Sequence, residues 1–119
     1  MHNFRELRIW QEAMEVTKAI YRATAKFPAD ERFGLTSQIN RSAVLIPSNI
    51  AEGAGRNSDK EFNQFLGIAL GSAFELETQL ILAESFGFVE KQNVDEIINQ
   101  IHRIQKMINA FKSSIIKKI

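Results

Sequence analysis

The sequence predicts an all-α protein with the architecture of an up-down-up-down antiparallel four-helix bundle. Four long segments carry apolar residues at spacings of three and four, and no window alternates with the period of two that a strand requires. Short connections between such segments favour antiparallel neighbours. We expect a single domain over residues 1–119, with helices at about 4–26, 32–53, 59–86 and 94–117.

The first helix is predicted to begin after Asn3. The Asn3 side chain can accept a hydrogen bond from the first turn, and Glu6 three residues later would complete a capping box. Two neighbouring apolar rows follow and cover about half of the helix circumference. Because Phe27 precedes a proline, which disfavours the α conformation, the helix should end there.

The second helix contains Pro47, which removes a backbone N–H and should bend the helix. It is predicted to end at Gly53 and Gly55, because glycine tolerates the positive φ of a helix C-cap and of the turn that follows. The backbone amides after this turn, with Arg56 nearby, could hold an anion, but the segment lacks the spacing of a phosphate loop. An ordinary capped turn is the preferred interpretation.

The third and fourth helices have the clearest sequence signals. Ser58 and Glu61 form a capping box, and Gly87 is the residue expected just after the third helix. Asn93 is predicted as the N-cap of the fourth helix, with Glu96 three residues on. The apolar stripe of the fourth helix repeats with the heptad spacing that suits bundle packing: Ile97, Ile101, Ile104, Ile108, Phe111 and Ile115.

Composition excludes several classes of protein. The chain has no cysteine, which excludes disulfides and thiolate chemistry, and its 45% hydrophobic content is that of a globular protein. No apolar run reaches the roughly 18 residues of a membrane span, and the N-terminus lacks the apolar core of a signal peptide. We therefore expect a cytoplasmic protein with no membrane contact.

Positive charge is concentrated at the C-terminal end. The net charge is +1, but residues 97–119 carry +5 and no acidic residue, whereas residues 1–96 sum to −4. This basic face is either plainly solvated or, repeated around an oligomer, a surface for the phosphates of RNA or DNA. The candidate nucleic-acid-binding residues are Arg103, Lys106, Lys112, Lys117 and Lys118.

The third helix is apolar over more of its surface than one bundle can bury. Beside its core stripe, another apolar row projects about 100° away, and two glycines four residues apart would let a further helix approach closely. These side chains belong either to a loosely packed core or to an association surface, and the second interpretation predicts a homo-oligomer. The candidate interface residues are Gly67, Leu70, Gly71, Phe74 and Ile81.

Polar residues line one side of the second helix and the turn after it. Arg41 and Glu52 are three turns apart, too far for a direct pair within one helix. The strip is either a solvated face or a network that pairs across a subunit interface and sets its register. The residues of this candidate network are Arg41, Asn49, Glu52 and Arg56.

No set of residues typical of a catalytic or metal site is evident. The two histidines are His2, near a terminus expected to fray, and His102, on a face expected to be solvated. A di-iron bundle would need a glutamate three residues before the histidine, and Asn99 stands there. We expect no enzyme activity, no cofactor, no metal and no small-molecule substrate.

Three segments of the chain carry a specific combined spacing that runs to about residue 87. They read Phe4-x-x-Leu7-x-x-Trp10-Gln11-x-Ala13, Phe27-Pro28-x-x-Glu31-x-x-Gly34-Leu35-x-x-Gln38-x-x-Arg41-Ser42-Ala43, and Asn49-Ile50-Ala51-Glu52-Gly53-x-Gly55-Arg56-x-Ser58-x-x-Glu61-Phe62-x-x-Phe65-Leu66-x-Ile68-Ala69-x-Gly71-Ser72. This pattern resembles the four-helix-bundle family encoded in intervening sequences of bacterial 23S rRNA genes. The fourth helix matches only in its amphipathic character.

The resemblance implies a homopentamer. Relatives in that family serve as accessory subunits of diversity-generating retroelements, where a positively charged assembly works with a reverse transcriptase and nucleic acid. The resemblance therefore implies that this chain forms a homo-oligomer, and it makes RNA or DNA a plausible partner. The sequence leaves two hypotheses: an oligomeric accessory factor for nucleic acid or ribonucleoprotein, and a protein–protein interaction scaffold with no nucleic-acid role.

Overall fold

The structure is a computed structural model that describes residues 2–118 of the expected domain. It contains four α-helices, two short 3₁₀ turns and, in these residues, no strand. The helices are α1 (Arg8–Thr24), α2 (Leu35–Ala54), α3 (Asp59–Ser85) and α4 (Lys91–Ile116), and the 3₁₀ turns are Phe4–Glu6 and Ala29–Glu31. The predicted all-α four-helix bundle is confirmed.

The helices lie side by side around one long axis. With 27 residues, α3 is about 40 Å long, close to the 45 Å length of the molecule. Connections of four and five residues follow α2 and α3, too short to return along that length, so α2, α3 and α4 run antiparallel in turn. Helices α1 and α2 are also antiparallel, because Thr24 bonds to Asn40 while Thr17, earlier on α1, bonds to Ala43, later on α2. At the start of the chain, the backbone N–H of His2 donates to the carbonyl of Ala54 at 2.9 Å, so the expected fraying is not seen there.

All four helices contribute to a single apolar core. The isoleucines of the predicted α4 stripe are buried, while Phe111 is only half-buried. Isoleucine, leucine and alanine side chains at helical spacing fill this core, as the sequence periodicity predicts. The largest side chains with almost no exposure are Phe62, Ile20, Ile39, Ile46, Ile50, Leu66, Leu76, Leu80, Ile101, Ile104, Ile108 and Val16.

The predicted start of the first helix is wrong. Asn3 Oδ1 accepts from the N–H of Arg5 at 3.3 Å, which caps a 3₁₀ turn and not an α-helix. Leu7 then adopts an extended conformation, with ψ at 126°, and serves as the N-cap of α1. The Phe4 and Trp10 rings pack edge to face across this break, with centroids 5.2 Å apart.

The second and fourth helices also begin at other residues than expected. Glu31 Oε1 accepts from the N–H of Leu35 at 3.4 Å, so α2 starts only after the 3₁₀ turn. Asn93 lies inside α4, whose N-cap is Glu90 without a side-chain cap. The extra first turn of α4 contains the Lys91–Asp95 ion pair at 2.9 Å, four residues apart on one helix face.

The two glycines at the turn between α2 and α3 do not have the predicted positive φ. Gly55 has φ of −83° and Gly53 is helical, and among the described residues only Gly87, after α3, has a positive φ, at 79°. Gly53 is instead required for space: a Cβ there would stand 2.7 Å from Cβ of Phe65 and 2.8 Å from Cδ1 of Phe62. The Ser58 cap of α3 is confirmed.

By length and apolar content, α3 is the only helix in the described part of the chain that could cross a membrane. The core helix of a globular bundle meets the same two criteria. One stripe of α3 faces the interior between α2 and α4, and eight of its side chains are buried there. These buried side chains make α3 one wall of the bundle core.

Candidate functional site

The basic face predicted on α4 is divided by contacts with neighbouring helices. An Arg103 guanidinium nitrogen lies 3.0 Å from a carboxylate oxygen of Glu12 on α1. Lys112 Nζ is half-buried and donates to both the carbonyl and Oδ1 of Asn63 on α3, at 3.1 and 3.0 Å. Two of the five candidate residues thus hold α4 against the bundle.

The other three candidates are free for an external ligand. Lys106, Lys117 and Lys118 are exposed, and none forms an ion pair within residues 2–118. Lys117 and Lys118 stand at the C-terminal end of α4, where positive charge opposes the negative end of the helix macrodipole. The surface available to phosphates is therefore smaller than the sequence indicated.

A polar cluster joins α3 to α4 at the histidine that was expected to be solvated. His102 Nε2 lies 2.9 Å from Oε2 of Glu77, and Gln105 Nε2 donates to the other oxygen at 2.9 Å. The hydrogen bond from Gln105, followed by the hydrogen bond and charge of His102, lowers the pKa of Glu77. Through Glu77 the cluster connects α3 with α4. No three metal-ligating side chains converge within residues 2–118.

The polar strip of α2 does not form one network within the chain. Asn49 is buried and its Nδ2 donates to a carbonyl of its own helix at 2.7 Å. Glu52 and Arg56 pair with each other at 3.1 Å, four residues apart. Arg41 is exposed and lies away from them along the helix. Pairing across a subunit interface stays a prediction.

The candidate association face on α3 is partly exposed. Phe74 and Ile81 are 52% and 47% exposed, whereas Leu70 is partly buried against the core. A Cβ added at Gly71 would meet open space, so a helix could approach there, while Gly67 is half-buried beside α4. A second exposed apolar row lies on the flank of α3 nearer α2: Ile68, Leu82 and Phe86.

An open groove between α1 and α2 was not predicted. At one end Tyr21 and Phe33 flank Arg32 and Arg41 around a depression of about 540 Å³. Phe33 is 90% exposed. In the sequence it is a large aromatic residue outside both apolar rows of the first helix, and this is the one signal that could have indicated its exposure. Tyr21 fits an apolar row of the first helix in the sequence pattern, whereas Phe33 has no place in that pattern.

Residues 5–110 match the family model described as 23S rRNA-intervening sequence protein. A crystal structure from Bacteroides thetaiotaomicron VPI-5482, described as a protein with unknown function from the S23 ribosomal protein family, shares the fold with a TM-score of 0.82. It is 24% identical over 88% of this chain and 95% of that chain. Among curated proteins, none is similar to this chain. Since the family match covers α1, α2, α3 and most of α4, the chain belongs to the 23S rRNA-intervening sequence protein family.

Proposed function

We propose that this protein is a non-catalytic, cytoplasmic homo-oligomer that acts as an accessory factor for nucleic acid or ribonucleoprotein. The observation that carries the proposal is the pair of neighbouring surfaces on α3 and α4. Half-exposed Phe74 and Ile81 on α3 offer an apolar face for self-association, and α4 beside it carries three unpaired lysines. Association through α3 would gather the lysines of several copies into one cationic surface.

The α4 lysines suit phosphate contacts and not base recognition. Their ammonium groups are exposed point charges, and residues 97–119 contain no carboxylate side chain to compete for them. Nucleic-acid binding through such contacts releases counterions, so affinity falls steeply with salt. Membership of a family named after rRNA intervening sequences is in keeping with a nucleic-acid partner.

Fluorescence anisotropy with labelled RNA and DNA tests the nucleic-acid part. We expect the triple variant Lys106→Glu, Lys117→Glu and Lys118→Glu to weaken binding and to reduce the salt slope, by about 0.7 for each single-strand phosphate that a lysine no longer neutralises. The charge-matched control changes three exposed basic residues on other surfaces, Arg22, Lys26 and Lys60, to Glu. Absent binding at low salt, or binding insensitive to salt, would reject this part.

Light scattering tests self-association. At micromolar concentration the mass should be a multiple of 13.5 kDa, with five copies implied by the family resemblance. The double variant Phe74→Asp and Ile81→Asp places charges on the α3 face and should lower the mass without unfolding the chain, since both side chains are about half exposed. A monomeric wild-type protein would end the oligomer proposal.

A second candidate function is a protein–protein interaction scaffold. The observation that favours it is the other exposed apolar row of α3, formed by Ile68, Leu82 and Phe86, which would remain open if the Phe74 face were used for self-association. Affinity capture after nuclease treatment separates the two functions. A stoichiometric protein partner that is lost in Leu82→Asp, without bound nucleic acid, would favour the scaffold.

A further inference from the structure

The groove between α1 and α2 runs along much of one side of the molecule. Two depressions share Val44: one extends toward Trp10 and Ala51, and the other toward Tyr21 and Phe33. Trp10 and Tyr21 are eleven residues apart on α1, which corresponds to about 16 Å along the helix. The groove is thus long enough for an extended ligand.

The charges of the groove favour an anionic ligand. Arg32 and Arg41 line it, and no aspartate or glutamate does. Neither arginine forms an ion pair within the described residues. Planar guanidinium groups without an internal carboxylate partner are suited to bind phosphate in two-pronged fashion.

Two aromatic side chains of the groove are exposed to solvent. Phe33 is 90% exposed and Tyr21 is 48% exposed. The Arg32 guanidinium lies over the Phe33 ring, 5.7 Å from its centroid, so a cation and a stacking surface stand together. Trp10 contributes a third aromatic ring at the other end. Exposed aromatic faces interleaved with arginines are what unstacked bases and their phosphates require.

We propose that this groove binds single-stranded nucleic acid, with bases stacked on Phe33 and Tyr21 and with phosphates paired to Arg32 and Arg41. The inference rests on the proposed association with nucleic acid, and it adds a second contact on a face away from the α4 lysines. A duplex keeps its bases stacked on each other and cannot use the aromatic faces. The groove therefore selects single strands.

The wild-type test uses a labelled oligouridylate of about 12 nucleotides and a duplex of equal length. Binding is followed by anisotropy and by the emission of Trp10, which is the only tryptophan of the chain and lines the groove. We expect the oligouridylate to bind more tightly than the duplex and to change Trp10 emission with the same Kd. An oligoglutamate of equal charge that bound with equal affinity would overturn the stacking role.

Two variants with matched controls test the groove residues. Phe33→Ala should weaken single-strand binding roughly 5- to 150-fold, the range for the loss of one stacked base. Arg41→Gln should reduce the salt slope by about 0.7, one phosphate contact. Phe86→Ala and Arg22→Gln remove an exposed ring and an exposed guanidinium outside the groove and should leave the affinity unchanged.

The outcomes separate this inference from the proposed function. Unchanged affinity in Phe33→Ala overturns the groove site, and the accessory function then stands if the triple α4 variant loses binding. Loss of binding in the groove variants alone supports the groove and removes only the α4 contribution. If wild-type protein binds no nucleic acid, both fail. A fall in oligomer mass in Phe33→Ala would assign the groove to a contact between copies and overturn the inference.

Discussion

The two sides of α3 are held to their neighbours by different means. Toward α2, the contact depends on close approach: Gly53 lies directly against Phe62 and Phe65, where no Cβ would fit. Toward α4, the contact includes long polar side chains, with Gln105 bonded to Glu77 and with Lys112 bonded to Asn63. Both sides also contain side-chain hydrogen bonds, since Ser42 Oγ on α2 donates to Glu75 Oε1 at 2.8 Å, but the α4 side has more of them and includes the basic side chain of Lys112.

Charged side chains on the outer face of an amphipathic helix can be paired within the fold. The basic face of α4 predicts an external ligand surface, yet two of its members pair with neighbouring helices: exposed Arg103 with Glu12 on α1, and half-buried Lys112 with Asn63 on α3. Long basic side chains can reach back over a neighbouring helix while their charged ends stay near water. The sign and density of charge on a helix therefore overstate the surface left for a partner.

The largest expected effect is at Phe62, which packs against Gly53 of α2 and against Phe111 of α4. Phe62→Ala removes a ring that is 1% exposed and tilted against the Phe111 ring, with centroids 5.4 Å apart, and we expect a loss of about 3–5 kcal/mol in the free energy of unfolding. Urea denaturation followed by circular dichroism measures it. The control Phe74→Ala removes an exposed ring of the same helix and should cost less than about 1 kcal/mol in the protomer. Equal losses would contradict the packing described for α3.

Glycine substitutions compare packed and open backbone directly. Gly53→Ala forces a Cβ against two phenylalanines and should destabilise the protein by about 1–3 kcal/mol. Gly71→Ala on α3 meets nothing within 4 Å and should stabilise the helix, by up to about 1 kcal/mol. Thermal unfolding of both variants suffices, and a stable Gly53→Ala protein would show that α2 and α3 can separate at little cost.

The hydrogen bond between Gln105 and Glu77 on the α4 side is expected to contribute less to the free energy of unfolding. Gln105→Ala removes the hydrogen bond to the Glu77 carboxylate, and we expect a loss of about 1–2 kcal/mol, since Glu77 remains partly accessible to water. Gln100→Ala, an exposed position on the same helix, is the matched control for helix propensity. A loss no greater than that of the control would mean that α4 is held by its isoleucines alone.

Much of the fold could be predicted because its signals are local. The Ser58 capping box lies next to the helix that it begins, and the isoleucines of α4 mark the buried face by their spacing. The first turn of α4 could not be located in this way, because Lys91 and Asp95 stabilise an exposed turn that has no apolar pattern. Gly53 was assigned to a turn because the sequence does not show which side chains face it.

The candidate site was less predictable, because its contacts join distant parts of the chain. Lys112 and Asn63 are 49 residues apart, so the sequence shows the charge of the lysine without the carbonyl that binds it. Phe33 and Tyr21 meet in one groove only because α1 and α2 run side by side. A stacking surface made by two elements has no spacing of its own for a sequence pattern to detect.

A change of pH should distinguish the two sides of α3 without a large change in structure. Gln105 and His102 lower the pKa of Glu77 in the folded protein, so ionised Glu77 stabilises the fold above its unfolded pKa, and that contribution is lost as the pH falls through the folded value. We expect the urea midpoint to drop as the pH falls below the ordinary range of a glutamate, and to drop less in Glu77→Gln. The measured quantity is the difference between the two proteins, which isolates the contribution of Glu77. Gly53→Ala, which changes only packing on the α2 side, should keep the pH dependence of the wild type. An identical acid response in Glu77→Gln and wild type would show that ionised Glu77 does not stabilise the α4 side, and would leave Lys112 bonded to Asn63 as the charged contact there.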